Sequence, residues 1–122
     1  MKKILILESD PYLIRVYSAT FSNMGIDSVI PSTGPITVPA IIKEMPDVIL
    51  FEINRPEQDG FQVLENLNKN EQTRSIPVVV LTSLLGNENR SLANTFGINK
   101  YFIKSETTFF DVSDYVKKLL EN

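Results

Sequence analysis

The sequence predicts an α/β domain, a doubly wound sheet of five parallel strands with helices on both faces. Three observations predict it. Short apolar runs at 4–7, 48–53 and 78–81 are, Glu52 excepted, hydrophobic on both alternating faces, as in strands covered on both sides. Segments with helical spacing separate them, and each buried run ends on a polar residue: Glu8, Glu52, Thr82 and, after a fifth strand, Lys104. Right-handed crossovers in a chain of 122 residues then favour the strand order 2-1-3-4-5, which places the ends of strands one and three at the switch point where such sheets carry their chemistry.

Each element has a local reason. After the run 4–7, Asp10 suits a helix N-cap and Pro11 the first helical position; Leu13, Val16, Tyr17, Phe21 and Met24 follow at helical spacing until Gly25 stops them. A weaker strand is expected at 27–30 and a loop at 32–38, because Gly34, Pro35 and Pro39 deny a regular ladder. A short helix over 39–45 ends at Pro46. The central strand 48–53 carries Glu52, and Pro56, Asp59 and Gly60 form a turn that opens a third helix with Phe61, Val63, Leu64 and Leu67 inward. It dissolves into the polar segment 68–75. Strand four is 78–81, helix four runs from Asn87 or Glu88 to Phe96 with Gly97 behind it, and strand five is 100–103. The last helix begins near Thr108, whose hydroxyl forms a capping box with Asp111, and turns Val112, Val116, Leu119 and Leu120 inward.

Composition excludes several chemistries. Cysteine and histidine are both absent, which removes thiol nucleophiles, disulfides, most zinc sites and imidazole catalysis. A net charge of −3 without a basic run gives no footprint for nucleic acid. No apolar run is long enough for a signal segment or a membrane span, so a cytoplasmic protein is expected.

The strand-end residues resemble the receiver domains of two-component response regulators, CheY-like domains of bacterial phosphorelay signalling. The segments I-L-I-L-E-S-D-P, V-I-L-F-E-I-N-R-P-E-Q-D-G, V-V-V-L-T-S and Y-F-I-K-S stand where that family has its acidic pair, phosphoacceptor Asp, switch Thr or Ser, and Lys. The resemblance covers residues 1–122 and implies a single receiver domain with no output domain, the switch pair Thr82 and Tyr101, and Lys104 as the family lysine. Two central positions depart from the family. Glu52 occupies the phosphoacceptor position, and in the acidic pocket Glu8, Ser9, Asp10 the neutral Ser9 replaces an acid that binds Mg²⁺. The metal set implied is Glu8, Glu52 and the Asn54 carbonyl, so no cofactor, or only weakly held Mg²⁺, is expected. Ser105 replaces the proline usual after the lysine.

The expectation is a pseudo-receiver that is not an enzyme, with Glu52 a standing mimic of the phosphorylated state. It would act through protein contacts with a histidine kinase or effector on the face of helix four, strand five and helix five, without nucleic acid or membrane. The alternative is a phosphoprotein, a Mg²⁺-dependent phosphoacceptor with reduced activity. A flavodoxin-like cofactor carrier is disfavoured by the acidic Glu8-Ser9-Asp10 loop, which repels phosphate. Plainer roles stay open: Asp10 as a helix cap only, Glu52–Lys104 as a structural ion pair, Thr82 as a strand-end hydroxyl and Tyr101 as packing.

Overall fold

A computed structural model describes residues 1–31 and 34–121. Five parallel strands, β1 (Lys2–Leu7), β2 (Ile26–Val29), β3 (Val48–Phe51), β4 (Val78–Thr82) and β5 (Lys100–Ile103), lie in the order β2-β1-β3-β4-β5. Between them run α1 (Pro11–Asn23), α2 (Val38–Glu44), α3 (Gly60–Lys69), α4 (Asn87–Thr95) and, after β5, α5 (Phe109–Glu121). The expected fold class and strand order are therefore those observed.

Strand alternation divides the core into two layers. Leu5, Leu7, Ile49, Phe51 and Val80 face Ile41 of α2, Val63, Leu64 and Leu67 of α3, and Ala93 of α4. Their neighbours Ile4, Ile6, Leu50, Val79 and Leu81 face Tyr17 and Phe21 of α1 and Val112 and Val116 of α5. Both faces of each central strand are thus dry, as the continuous apolar runs require. Burial of these side chains is the main favourable contribution to the fold.

The helix ends follow the local chemistry. Asp10 caps α1 by accepting the Tyr12 N–H at 2.9 Å. Thr108 and Asp111 exchange hydrogen bonds ahead of α5, the Asp111 N–H donating to Thr108 Oγ1 at 3.1 Å and the Thr108 N–H to Asp111 Oδ2 at 3.0 Å.

Several boundaries move. Strand β2 begins one residue earlier than expected, because Ile26 is the buried residue of that edge and pairs with Lys2. Helix α2 starts at Val38 behind Thr37, whose hydroxyl accepts the Ala40 N–H, and ends at Glu44 because Met45 turns left-handed at φ 48°. Strand β3 stops at Phe51, although the Glu52 N–H still donates to Leu7 O at 2.9 Å. Helix α3 persists to Lys69, into the segment read as polar coil. Ser32 and Thr33 of the expected loop lie outside the described residues. A feature not anticipated is a tiny antiparallel ladder, Asn54–Arg55 against Gln58–Asp59, closed over Pro56 and Glu57. Among the described residues no helix is long and apolar enough to cross a membrane.

Candidate functional site at the strand ends

The carboxyl ends of β1, β3 and β5 bring Glu8, Glu52 and Lys104 together. Lys104 Nζ lies 2.9 Å from Glu8 Oε1 and 3.0 Å from Glu52 Oε1, and the two carboxylate side chains are only 6 % and 5 % exposed. Lys104 reaches them from β5, across β4, on its long flexible stem. The bridge to Glu8 was not read from the sequence, which paired Lys104 with Glu52 alone.

Backbone donors complete both carboxylates. Glu52 Oε1 accepts the Ser83 N–H at 3.1 Å and Oε2 the Asn54 N–H at 3.0 Å. Glu8 Oε2 accepts the N–H groups of Ser9 and Asp10 at 3.0 and 3.1 Å. The acidic pocket thus divides its work: Ser9 and Asp10 serve Glu8 through their backbone, while the Asp10 side chain is committed to α1. Asn54 Nδ2 donates to Ser83 Oγ at 3.0 Å, tying the loop after β3 to the one after β4.

Thr82 is fully buried. Its Oγ1 accepts the Leu84 N–H at 3.2 Å, which closes a local turn. The next residue, Ser83, meets Glu52 through its backbone N–H. Tyr101 is buried and turned inward, its hydroxyl donating to Leu84 O at 2.9 Å and its ring under the Arg90 guanidinium. Ser83 and Leu84 thus link Glu52 to Tyr101 through one short loop. Neither was singled out, because backbone donors and acceptors carry no residue-type signal.

Burial pulls the Lys104 ammonium down, but its hydrogen bonds and charge contacts with Glu8 and Glu52 outweigh that and hold its pKa above the ordinary 10.5. Burial, then the Glu8 and Asp111 charges, push Tyr17 up to about 12, and burial with the Glu52 charge also raises Tyr101. All three protons are held more tightly in the folded state. Their stabilisation is full below pH 10.0, the ordinary tyrosine value, and is lost as pH rises through the folded values. Denaturant titrations should show a stability plateau through neutral pH and a fall beginning above about pH 10, to which Tyr17, the most strongly raised of the three, contributes most. In Tyr17→Phe the alkaline fall should shrink.

A magnesium ion wants near-octahedral hard oxygens. Here one ammonium bridges the two buried carboxylates, Ser9 is neutral, and Asp10 is spent as a cap. Among the described residues no cluster of three or more Asp, Glu, His or Cys is placed to hold a metal ion. Two carboxylates already bridged by an ammonium, beside a neutral Ser9, are a poor fit for Mg²⁺.

Comparison with known proteins gives the family. The family model described as response regulator receiver domain matches residues 4–109. The chain belongs to the response regulator receiver family. The receiver is similar to protein PilH of Pseudomonas aeruginosa, 31 % identical over 83 residues that cover 68 % of this chain and 69 % of that protein. It is also similar to the DNA-binding dual master transcriptional regulator RpaA of Synechocystis, 28 % identical over 119 residues, 98 % of this chain and 48 % of RpaA. The chain thus spans less than half the length of RpaA. Among solved structures, the BeF3-activated N-terminal receiver domain of Klebsiella pneumoniae RstA superposes with a TM-score of 0.84 at 27 % identity, covering 99 % of this chain and all of that one.

Proposed function

We propose that this receiver is a two-component signalling module that acts through protein contacts, with Glu52 as a standing counterpart of a phosphorylated side chain. The observation carrying this reading is the state of Glu52. Its carboxylate is buried at the β3 mouth and already holds Lys104, the Ser83 N–H and the Asn54 N–H. A nucleophile with its lone pairs so engaged, and no fitting metal beside it, is poorly disposed for in-line phosphoryl transfer, which depends on positioning and charge neutralisation. As a fixed anion it suits the opposite role. It holds Ser83, and through Leu84 the inward Tyr101, in the arrangement an anion at this position favours.

One carboxylate brings a single charge against the roughly −1.5 to −2 of a phosphoryl group, so Glu52 supplies part of that bias. The partner is a kinase or effector protein that reads the face of α4, β5 and α5, near which Leu85 and Leu92 are exposed. Intact mass after incubation with acetyl phosphate and Mg²⁺ should show no phosphoryl adduct. Calorimetry should detect no tight Mg²⁺ binding. In Glu52→Gln, NMR should show Tyr101 populating an outward rotamer. A stoichiometric adduct on Glu52 would establish a working phosphoacceptor instead.

A further inference from the structure

Helix α4 is thinly attached. Of its nine residues only Ala93 is buried, and Gly86 ahead of it provides no side-chain cap. Its first turn closes with the Arg90 N–H on Gly86 O at 3.3 Å, a long hydrogen bond. Packing and capping supply most of what fixes a short helix, so a helix with little of either depends on other contacts.

Tyr101 supplies two. Its hydroxyl donates to Leu84 O at 2.9 Å, in the loop before α4, and the Arg90 guanidinium, inside α4, lies over its ring at 5.5 Å from the centroid. The second contact is the attraction of a cation for the negative face of a π-system, within its range of about 6 Å. Arg90 is exposed and, among the described residues, forms no ion pair, so the Tyr101 ring is the partner its charge has. Burial and the Glu52 charge raise the Tyr101 pKa, and the Arg90 charge opposes them. Between the two contacts Asn89 Nδ2 donates to Leu85 O at 2.8 Å, which ties the loop to the first turn of α4.

We propose that Arg90 is a positioning residue that couples Tyr101 to α4. Stacked on the inward ring, it holds the N-terminal half of the helix, and with it the exposed Leu85 and Leu92, against β5. This deepens the reading above by naming the route from the Glu52 arrangement to the partner face. When Tyr101 turns outward, Leu84 O loses its donor and Arg90 loses its ring together, so the helix has a held and a released state and Tyr101 selects between them. A guanidinium suits the task because it is planar, weakly hydrated and stacks on aromatic faces, whereas an ammonium is a more strongly hydrated point charge. Exposure sets the size of the effect: an exposed cation–π contact shifts such an equilibrium about 2- to 5-fold. The stack therefore tunes the partner face without locking it.

The test is native-state amide hydrogen exchange together with NMR of the Tyr101 side chain, on the whole chain. Glu52 is left unchanged throughout, so the outcome is independent of the phosphoryl-adduct and Mg²⁺ measurements. Arg90→Met keeps helix propensity and most of the stem but removes the charge. Exchange of the Arg90 and Ser91 amides should quicken about 2- to 5-fold, with α5 amides unchanged and an outward Tyr101 rotamer more populated. Arg90→Lys should recover part of the protection. Tyr101→Leu should speed the same amides, and Arg90→Met added to it should have no further effect, because the stack is already gone. Tyr101→Phe, which keeps the ring and loses only the hydroxyl, should preserve the Arg90→Met effect. Unchanged exchange in Arg90→Met, an effect that persists in full on the Tyr101→Leu background, or Arg90→Lys no better than Arg90→Met would each overturn the coupling.

Discussion

Lys104→Met should cost about 3–5 kcal/mol of folding stability, the range for removing one partner from a buried charge network. The reason is the double bridge. One ammonium contacts Glu8 and Glu52 at 2.9 and 3.0 Å, so its removal loses two attractions and leaves two shielded anions facing each other. At a separation of about 5 Å and an effective dielectric of about 20, two such charges repel by roughly 3 kcal/mol. Urea denaturation of the variant against the parent measures the loss. Glu8→Gln combined with Lys104→Met should recover a large part of the loss. A cost under about 1 kcal/mol would mean that water screens the network.

That network also shows where sequence reasoning reaches and where it stops. Strand β1 was legible because Ile4 to Leu7 is apolar without a break, and only a strand covered on both faces tolerates that. The caps at Asp10 and Thr108 were legible because an N-cap is settled within a few residues. The pairing of Lys104 with Glu8 was not. It joins the ends of two strands separated in the sheet by β3 and β4, and depends on the reach of one side chain. The local bond at Thr82 was not legible either: register says where the hydroxyl starts, not that the Leu84 N–H two residues on donates to it. The hydrogen bonds between Gln58 and the backbone of Ile36 were not legible either, because they join residues 22 positions apart in the chain.

Gly60→Ala should be the second large effect, a net loss of about 2 kcal/mol, and its sign is opposite to what helix propensity alone implies. Gly60 is the first residue of α3, where alanine would ordinarily gain as much as ~1 kcal/mol. A Cβ at Gly60, however, would sit 2.1 Å from Ile53 O and 2.6 Å from Ile53 Cα. Both are backbone atoms, so no side-chain rotation relieves the overlap, and overpacking of this kind costs about 1–3 kcal/mol or more. The strain falls next to the site. Ile53 follows Glu52 directly, and its carbonyl accepts the Arg55 N–H at 3.1 Å. Either α3 shifts away from β3, losing contacts of Val63 and Leu64, or the 53–55 segment moves and carries the Asn54 N–H off Glu52 Oε2. Amide NMR distinguishes the two, since only the second outcome moves the Asn54 resonance strongly, while chemical denaturation measures the cost. A variant as stable as the parent, with the Asn54 resonance unmoved, would show that the α3 start slides freely and that glycine is not required where the helix meets Ile53.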